Sequence, residues 1–316
     1  MSSFEAGLLP APPTNRTGWP WIAEDSQSIG AGSAESKWPK ISIITPSFNQ
    51  VTFLEKTIRS VLLQGYPNLE FMILDGGSTD GSVDIIQKYA KRITHWRSRK
   101  DEGQSAAINE GMQRATGKIL AWLNSDDCYL PGTLFRVART VSSDRAMVVG
   151  AALIANEFAT ETEHVFKQPS FQEMLFEGHL VPQPSTFWTA ELWKIAGPLK
   201  KNFHYVMDYD LWIRMFAAAE EVRFCPEPLS LIQNHGEQKT QVRNYNKIQV
   251  EKFLVVMENL RYLGMSAATY TWRKWLHVRT KRSGIYRLLP VPRRSELAAL
   301  IYPISPAAAI HLVSGA

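Results

Sequence analysis

Cysteine is scarce in this chain of 316 residues, with only Cys128 and Cys225. Two cysteines exclude a disulfide framework and a zinc-type cluster, and they point to a reducing, cytoplasmic compartment. The amino terminus lacks a basic start followed by an apolar run, so no signal peptide is read. Long apolar runs are missing too. Residues 297–313 are apolar but short, and Pro303 and Pro306 interrupt them, which argues against a spanning helix and leaves docking on the body or dipping into lipid open. The G-x-G-x-x-G spacing of a dinucleotide fingerprint is absent, as is a Gly-rich phosphate loop with a basic residue near the first strand.

What is present suits a globular protein. Hydrophobic residues make up 45% and charged residues 21%, enough for one large or two small domains with a substantial core. Residues 1–38 are rich in Pro, Gly, Ser and Ala and are expected to form a flexible arm, with Trp19 and Trp21 available to pin it to the core. Charge is uneven. Residues 241–316 hold 12 Lys or Arg against 3 Asp or Glu, a net of +9, while the first 240 residues hold 23 against 27, a net of −4. The two regions are therefore expected to meet different partners.

From residue 40 the chain alternates strand and helix with short loops, the signature of a parallel sheet. Strands are predicted at 40–45, 69–74, 93–96 and 118–123, and helices at 51–64, 83–91 and 105–114. His95 reads as a sheet residue. The stretch 101–127, DEGQSAAINEGMQRATGKILAWLNSDD, reads as a polar turn, a helix, a strand buried on both faces, and two carboxylates where that strand stops. The carboxyl ends of strands are where open α/β sheets hold ligands. Adjacent carboxylates repel, so Asp126 and Asp127 call for a cation, hydrogen-bond donors or free water. Oxygen ligands of this kind suit Mg²⁺ or Mn²⁺. A solvated turn capping the next helix is the alternative for these two residues. In DGGSTDGS, Asp75 at a strand end suits hydrogen bonds from a base or a ribose hydroxyl; the alternative is an Asx turn with Ser78 or Asp80 capping the next helix, and Asp80 reads as that cap.

Taken together, PSFNQ (46–50), DGGSTDGS (75–82), the DEGQ…AIN…G…ATG segment and LNSDD (123–127) resemble the nucleotide-binding half of family 2 glycosyltransferases. The resemblance implies an α/β GT-A fold, a Rossmann-like mixed and mostly parallel sheet flanked by helices, with a helical C-terminal extension. It divides the chain into the arm, a catalytic domain at 39–240 (39–130 nucleotide-binding, 131–240 acceptor half) and a basic helical extension at 241–316. It also implies a nucleotide-sugar donor, most simply a UDP-sugar, with Mn²⁺ or Mg²⁺ and inversion at the anomeric carbon. By position, Pro46 would line the nucleotide through its backbone, Asp75 and Asp101 would hold base and ribose, and Asn109 would lie at the donor. Asp126 and Asp127 would stand for the Asp-x-Asp motif. Two departures stand out: Gly76 replaces a second Asp of many relatives, and Ala106 replaces an Asp common in close ones.

Further on, residues 146–154 are expected to extend the sheet as an edge region and 171–177 to form a short helix. Residues 181–188 resemble the family's Pro-Ser-Thr-Phe strand beside the acceptor; core packing is the reading for Phe187, while Trp188 is expected to be exposed for stacking on a sugar, with core packing as the alternative. Residues 203–214 place Asp208 and Asp210 near a helix start, where carboxylates are favoured. In the resemblance Met207 takes the Glu place of a Glu-Asp motif and Asp208 that of the base, with Asp210 a cap or an acceptor contact. The alternative is that both merely cap. After a Pro-rich turn, His235 is either a further metal ligand or a surface histidine. From Tyr245 the pattern is helical, and basic and aromatic residues interleave over 272–294. That stretch reads either as a site for an anionic membrane face or as a solvated basic helix.

The expected activity is transfer of a hexosyl unit to a hydroxyl of a glycan or lipid-linked glycan, cytoplasmic or peripheral at the inner face of the membrane. No nucleic-acid partner is expected, because no recognition motif accompanies the basic terminus. A non-catalytic carbohydrate-binding protein and a nucleotidyltransferase are the competing classes.

Overall fold

The computed structural model describes residues 9–14, 16–22, 38–156, 173–177, 181–236, 239, 242–260 and 263–282. The apolar segment 297–313 and the basic residues 283–294 lie outside these. Both cysteines are free and buried.

The amino-terminal half follows the expected alternation. Strands β1 (Ile41–Ser47), β2 (Leu69–Asp75), β3 (His95–Ser98) and β4 (Ile119–Trp122) alternate with helices α1 (Leu54–Leu62), α2 (Ser82–Tyr89) and α3 (Gln104–Arg114). The chain continues through β5 (Cys128–Tyr129), α4 (Thr133–Thr140), β6 (Ala146–Asn156), β7 (Thr186–Thr189), α5 (Ala190–Ala196), α6 (Met207–Ala218) and β8 (Glu221–Asn234). Helices α7 (Tyr245–Asn259) and α8 (Ala267–Arg282) follow. One sheet runs in the order β3-β2-β1-β4-β7-β6-β8-β5. Pairs β3·β2, β2·β1, β1·β4 and β6·β8 are parallel, and β4·β7, β7·β6 and β8·β5 are antiparallel.

Side chains that alternate along a strand separate two cores. Ile41, Ile43, Phe71, Ile73, Ile119 and Ala121 face one apolar cluster, while Ile44, Met72, Leu74, Leu120 and Trp122 face the other. The strands read as continuous apolar runs because both faces are covered. Helix α3 lies so close to the sheet that a Cβ at Gly111 would stand 2.7 Å from Ile44.

Two expectations need correction. Strand β6 is not an edge region: it lies between β7 and β8. Its partner β8 was hidden because Pro226 and Pro228 read as a turn, whereas they sit beside a register shift at Gly150 and Ala151. Such irregularities are where a strand tolerates proline. Trp188 is also not exposed. It sits on an interior strand, fully buried against Trp122, Trp193 and Trp212 with ring centroids 5.4 to 6.0 Å apart.

The described parts of the amino-terminal arm dock on the body. Trp19 Nε1 donates to the Tyr129 carbonyl at 2.7 Å, and Trp21 is buried. The buried Arg59 of α1 donates to the carbonyls of Pro10, Pro20 and Trp21 at 2.8, 3.0 and 3.2 Å, and to the Tyr89 hydroxyl. Arg59→Ala is therefore expected to lower unfolding stability by about 2–4 kcal/mol, since hydrogen bonds to a charged group are worth about 1.5–3 kcal/mol each and the freed carbonyls lose their donor. Urea denaturation measures this, and a loss under about 1 kcal/mol would mean that the arm is not anchored there.

Candidate active site

The carboxyl ends of β1, β2 and β4 open on one side, and the chain there bounds a cleft of about 850 Å³. The amino-terminal half lines it with Pro46, Phe48, Gly76, Asp101, Gln104, Asp126 and Asp127. The carboxyl-terminal half adds Gln183, His204, Tyr205, Met207, Asp208, His235 and Lys239.

The turn after β4 is held from three sides. Thr57 of α1 donates to the carbonyls of Ser125 and Asp127 at 2.9 and 2.8 Å. Gln104 donates to Asn124 Oδ1 at 2.9 Å, and Asn124 donates to Gln183 Oε1 at 3.0 Å. Gln183 closes the set by donating to the Trp122 carbonyl at 2.8 Å. Asp127 is thereby fixed at 4% exposure, with Oδ1 buried and without a hydrogen-bond partner. Burial first, and then the neighbouring Asp126, push its carboxyl well above the ordinary range, while the Gln233 amide and Asn124 oppose this. Asp126 is half-buried and meets His235 Nε2 at 3.1 Å. Phe53 stacks on the His235 ring at 4.4 Å, so this histidine is buried rather than on the surface.

Among the described residues no three His, Cys, Asp or Glu side chains form a ready-made metal cage. The donor set still fits a hard divalent cation. Asp127 offers an unmet buried oxygen, Asp126 lies beside it, and Mg²⁺ or Mn²⁺ ordinarily takes one or two carboxylates and completes its shell with substrate phosphates and water.

Asp208 stands at the start of α6, half-buried at the cleft wall. Burial raises its pKa to about 6, against hydrogen bonds from backbone amides and the charge of Lys252 on α7. The side chain of Met207, in the expected Glu place, accepts a hydrogen bond from Ser105 at its sulfur, 2.8 Å away.

Three residues differ from expectation. Asp75 is fully buried and spent on its own loop: it accepts from the amides of Gly77 and Ser78 and from the hydroxyls of Ser78 and Ser98. Its neighbour Gly76 lines the cleft instead, with the Asp101 carboxylate 3.5 Å from where a Cβ would stand. Asn109 is turned away from the cleft, its amide clamped to the Leu199 backbone by two bonds of 2.9 Å. Asp210 neither caps α6 nor reaches the cleft. It is fully buried, paired with Arg214 at 2.6 Å and Lys200 at 2.9 Å, and takes a hydrogen bond from Asn259 at 2.8 Å. Asp80 accepts from the Ser82 and Val51 amides and so ties two loops as well as the start of α2.

Sequence reasoning passed over Thr57, Gln104 and Gln183, which fix the Asp126–Asp127 turn, and Lys239, which donates to Gln104 Oε1 at 2.9 Å. Gln104 and Gln183 lie within the motifs DEGQ and PQPSTF, the only signal they carried.

The sheet and its flanking helices are those of a GT-A glycosyltransferase. TarS 1–349 of S. aureus, solved in complex with UDP-GlcNAc, superposes with a TM-score of 0.55 at 12% identity, covering 83% of this chain and 80% of that one. Mannosyltransferase PcManGT of Pyrobaculum calidifontis, in complex with GDP-Man and Mn²⁺, gives 0.55 at 14% identity, covering 89% and 87%. The family model described as Glycosyl transferase family 2 matches residues 42–190, a little under half of this chain. The GalNAc(5)-diNAcBac-PP-undecaprenol β-1,3-glucosyltransferase of Campylobacter jejuni is 32% identical over 123 residues, 38% of this chain. The chain spans only part of its curated relatives, 40% of that enzyme and 36% of TuaG of Bacillus subtilis.

Asp210→Ala strands Arg214 and Lys200 beside a buried void, and breaking such a pair by removing one partner costs about 3–5 kcal/mol. That loss is expected in urea denaturation, and a change below about 1 kcal/mol would show that the cluster does not hold α6 in place.

Proposed function

We propose that this protein transfers a hexosyl unit from a nucleotide diphosphate sugar to an acceptor hydroxyl with inversion at the anomeric carbon. The observation that carries the reading is that Asp208 and the Asp126–Asp127 pair, from distant parts of the chain, line one sugar-sized cleft. Complexes of TarS with UDP-GlcNAc and of PcManGT with GDP-Man support a nucleotide sugar as donor.

In this reading Asp208 accepts the proton of the attacking hydroxyl. The acceptor oxygen bonds to the anomeric carbon from the face opposite the diphosphate. The bond from that carbon to the diphosphate oxygen breaks, and the electron pair leaves with the nucleotide diphosphate. A divalent cation held by Asp127 and Asp126, with His235 beside them, would neutralise the charge growing on that leaving group. Pro46 and Asp101 flank the nucleotide end, where Gly76 keeps a side chain out of the narrow gap between Asp101 and Phe48. A carboxylate that must be ionised to take a proton works above its pKa. Between about pH 4 and 6 the folded state keeps a proton on Asp208 that the unfolded chain has lost, so its burial costs stability as pH rises through that window while activity grows.

The acceptor we infer is a glycan or lipid-linked glycan met at an anionic membrane face. Among the described residues no helix is long and apolar enough to cross a membrane. Helix α7 turns Val250, Phe253, Leu254 and Met257 outward as one stripe, Trp272 of α8 is exposed, and Arg243, Lys247 and Lys274 are exposed around them. Apolar side chains among cations suit the surface of an anionic bilayer.

Turnover of UDP-GlcNAc or GDP-mannose, scored as release of nucleoside diphosphate with Mn²⁺, is expected to fall about 10²- to 10⁴-fold in Asp208→Asn with donor binding kept. In wild type the acid limb of kcat is expected near pH 6. Full turnover by the variant, or a pH-independent rate between 5 and 8, would remove Asp208 from the chemistry. The 316-residue chain is expected to co-sediment with phosphatidylglycerol vesicles and not with phosphatidylcholine vesicles, and to be released by salt at about 0.5 M. Equal binding to both, or to neither, would refute the membrane part alone.

A further inference from the structure

We propose that Glu251, on α7, is a positioning residue for the base: its carboxylate fixes the backbone that carries Asp208 into the cleft. The proposal rests on the reading of Asp208 as the base.

Three consecutive amides converge on this one side chain. Glu251 Oε2 accepts from Tyr205 N at 2.7 Å, from His204 N at 3.1 Å and from Val206 N at 3.2 Å, and Oε1 also accepts from His204 N at 3.1 Å. Helix α6 begins at Met207, and the N-cap residue, Val206, offers no side-chain cap. The first amides of a helix need acceptors from elsewhere, and a negative charge there is favoured by the helix dipole. Glu251 supplies an acceptor and a negative charge from a different element: it takes the amide of Val206, at the N-cap of the helix, and the two amides that precede it. His204 and Tyr205 line the cleft directly beside Met207 and Asp208, so the amides that Glu251 holds belong to the cleft wall itself.

The same helix holds the other side of the base. Asn259, eight residues and about 12 Å further along α7, donates to Asp210 Oδ1 at 2.8 Å. Val255 and Val256 are buried between these two contacts. Asp208 thus lies on a segment held at 204–206 by Glu251 and at 210 by Asn259. Helix α7 lies wholly beyond the family-matched segment 42–190, yet it fixes the group that takes the proton. Burial lowers the pKa of His204 and of Lys239 on the same wall, and the Glu251 charge opposes that shift in both.

A positioning role and a purely structural one differ in kinetics. With the full chain, Mn²⁺ and whichever of UDP-GlcNAc and GDP-mannose wild type hydrolyses, Glu251→Ala is expected to lower kcat about 10- to 100-fold, with KM for the donor within about threefold. Glu251→Gln keeps one acceptor oxygen and is expected to restore kcat to within about threefold of wild type. Hydrogen–deuterium exchange at residues 204–207 is expected to accelerate in Glu251→Ala while peptides from β1 and β2 stay unchanged. Unchanged exchange at 204–207 overturns the proposal whatever the kinetics, as does a kcat equal to wild type or a KM that rises in step with the loss of kcat. Should the Ala variant fail to fold, Glu251→Leu decides, since it fills similar space with no acceptor: accelerated exchange at 204–207 supports the role, and wild-type exchange overturns it. Asp208→Asn assayed alongside separates the two readings. Full turnover in that variant sinks the assignment of the base, whereas its loss together with an unimpaired Glu251→Ala sinks only the positioning role.

Discussion

The structure depends on a carboxylate kept where a carboxylate is costly. Asp127 sits at the end of an apolar strand, nearly sealed from solvent, with one oxygen facing no donor and another carboxylate next to it. Nothing about local propensity favours this. It persists because a polar scaffold of Thr57, Gln104, Asn124 and Gln183 fixes the turn from three separate elements. A group left short of partners in this way is a feature that packing alone would have removed, and its electrostatics favour a positive ligand.

The sheet explains how distant residues meet there. Parallel strands β1, β2 and β4 must end on one side, so Pro46, Gly76 and Asp126 meet although 80 residues of sequence separate the first from the last. The second half then enters antiparallel through β7, next to β4, which brings Gln183 to the same end as Asn124. His235 arrives at the exit of β8, the longest strand, which runs parallel to β6. Topology of this kind gathers side chains at an edge without any of them being near in sequence.

The amino-terminal half was almost wholly legible, because period and punctuation agree there: apolar runs of strand length, glycine stops, and polar turns at each strand end. The carboxylate pair at 126–127 was legible for the same reason. Elsewhere the sequence misled in physically specific ways. Two prolines in β8 looked like a turn because their tolerance depends on a bulge against β6 that no local pattern reveals. Trp188 looked available to a ligand because an aromatic after a polar motif has no sign of which face it takes. Asp75 and Asn109 carried motif positions, but their side chains satisfy backbone amides and carbonyls instead, a use that depends on loops folding back on them. Asp210 looked like a cap, yet its partners Lys200 and Asn259 come from outside its helix.

The least legible contribution is that of α7. Its periodicity announces a helix with an apolar side, and nothing in the order of its residues says that Glu251 is aimed at three amides 45 to 47 positions earlier. Yet the behaviour of Asp208 follows from that packing. A carboxyl on a freely solvated turn would titrate near 4, where it is a weak base at neutral pH. Burial at the wall between α6 and its neighbours lifts Asp208 to about 6, against the backbone amides of Tyr209 and Asp208 and, after them, the charge of Lys252 from α7. For the base of the proposed reaction, a pKa that approaches the working pH without passing it is the most useful. The helix that contacts the backbone on both sides of Asp208 therefore also supplies a part of the opposing charge, beside the larger share that the amides of α6 contribute.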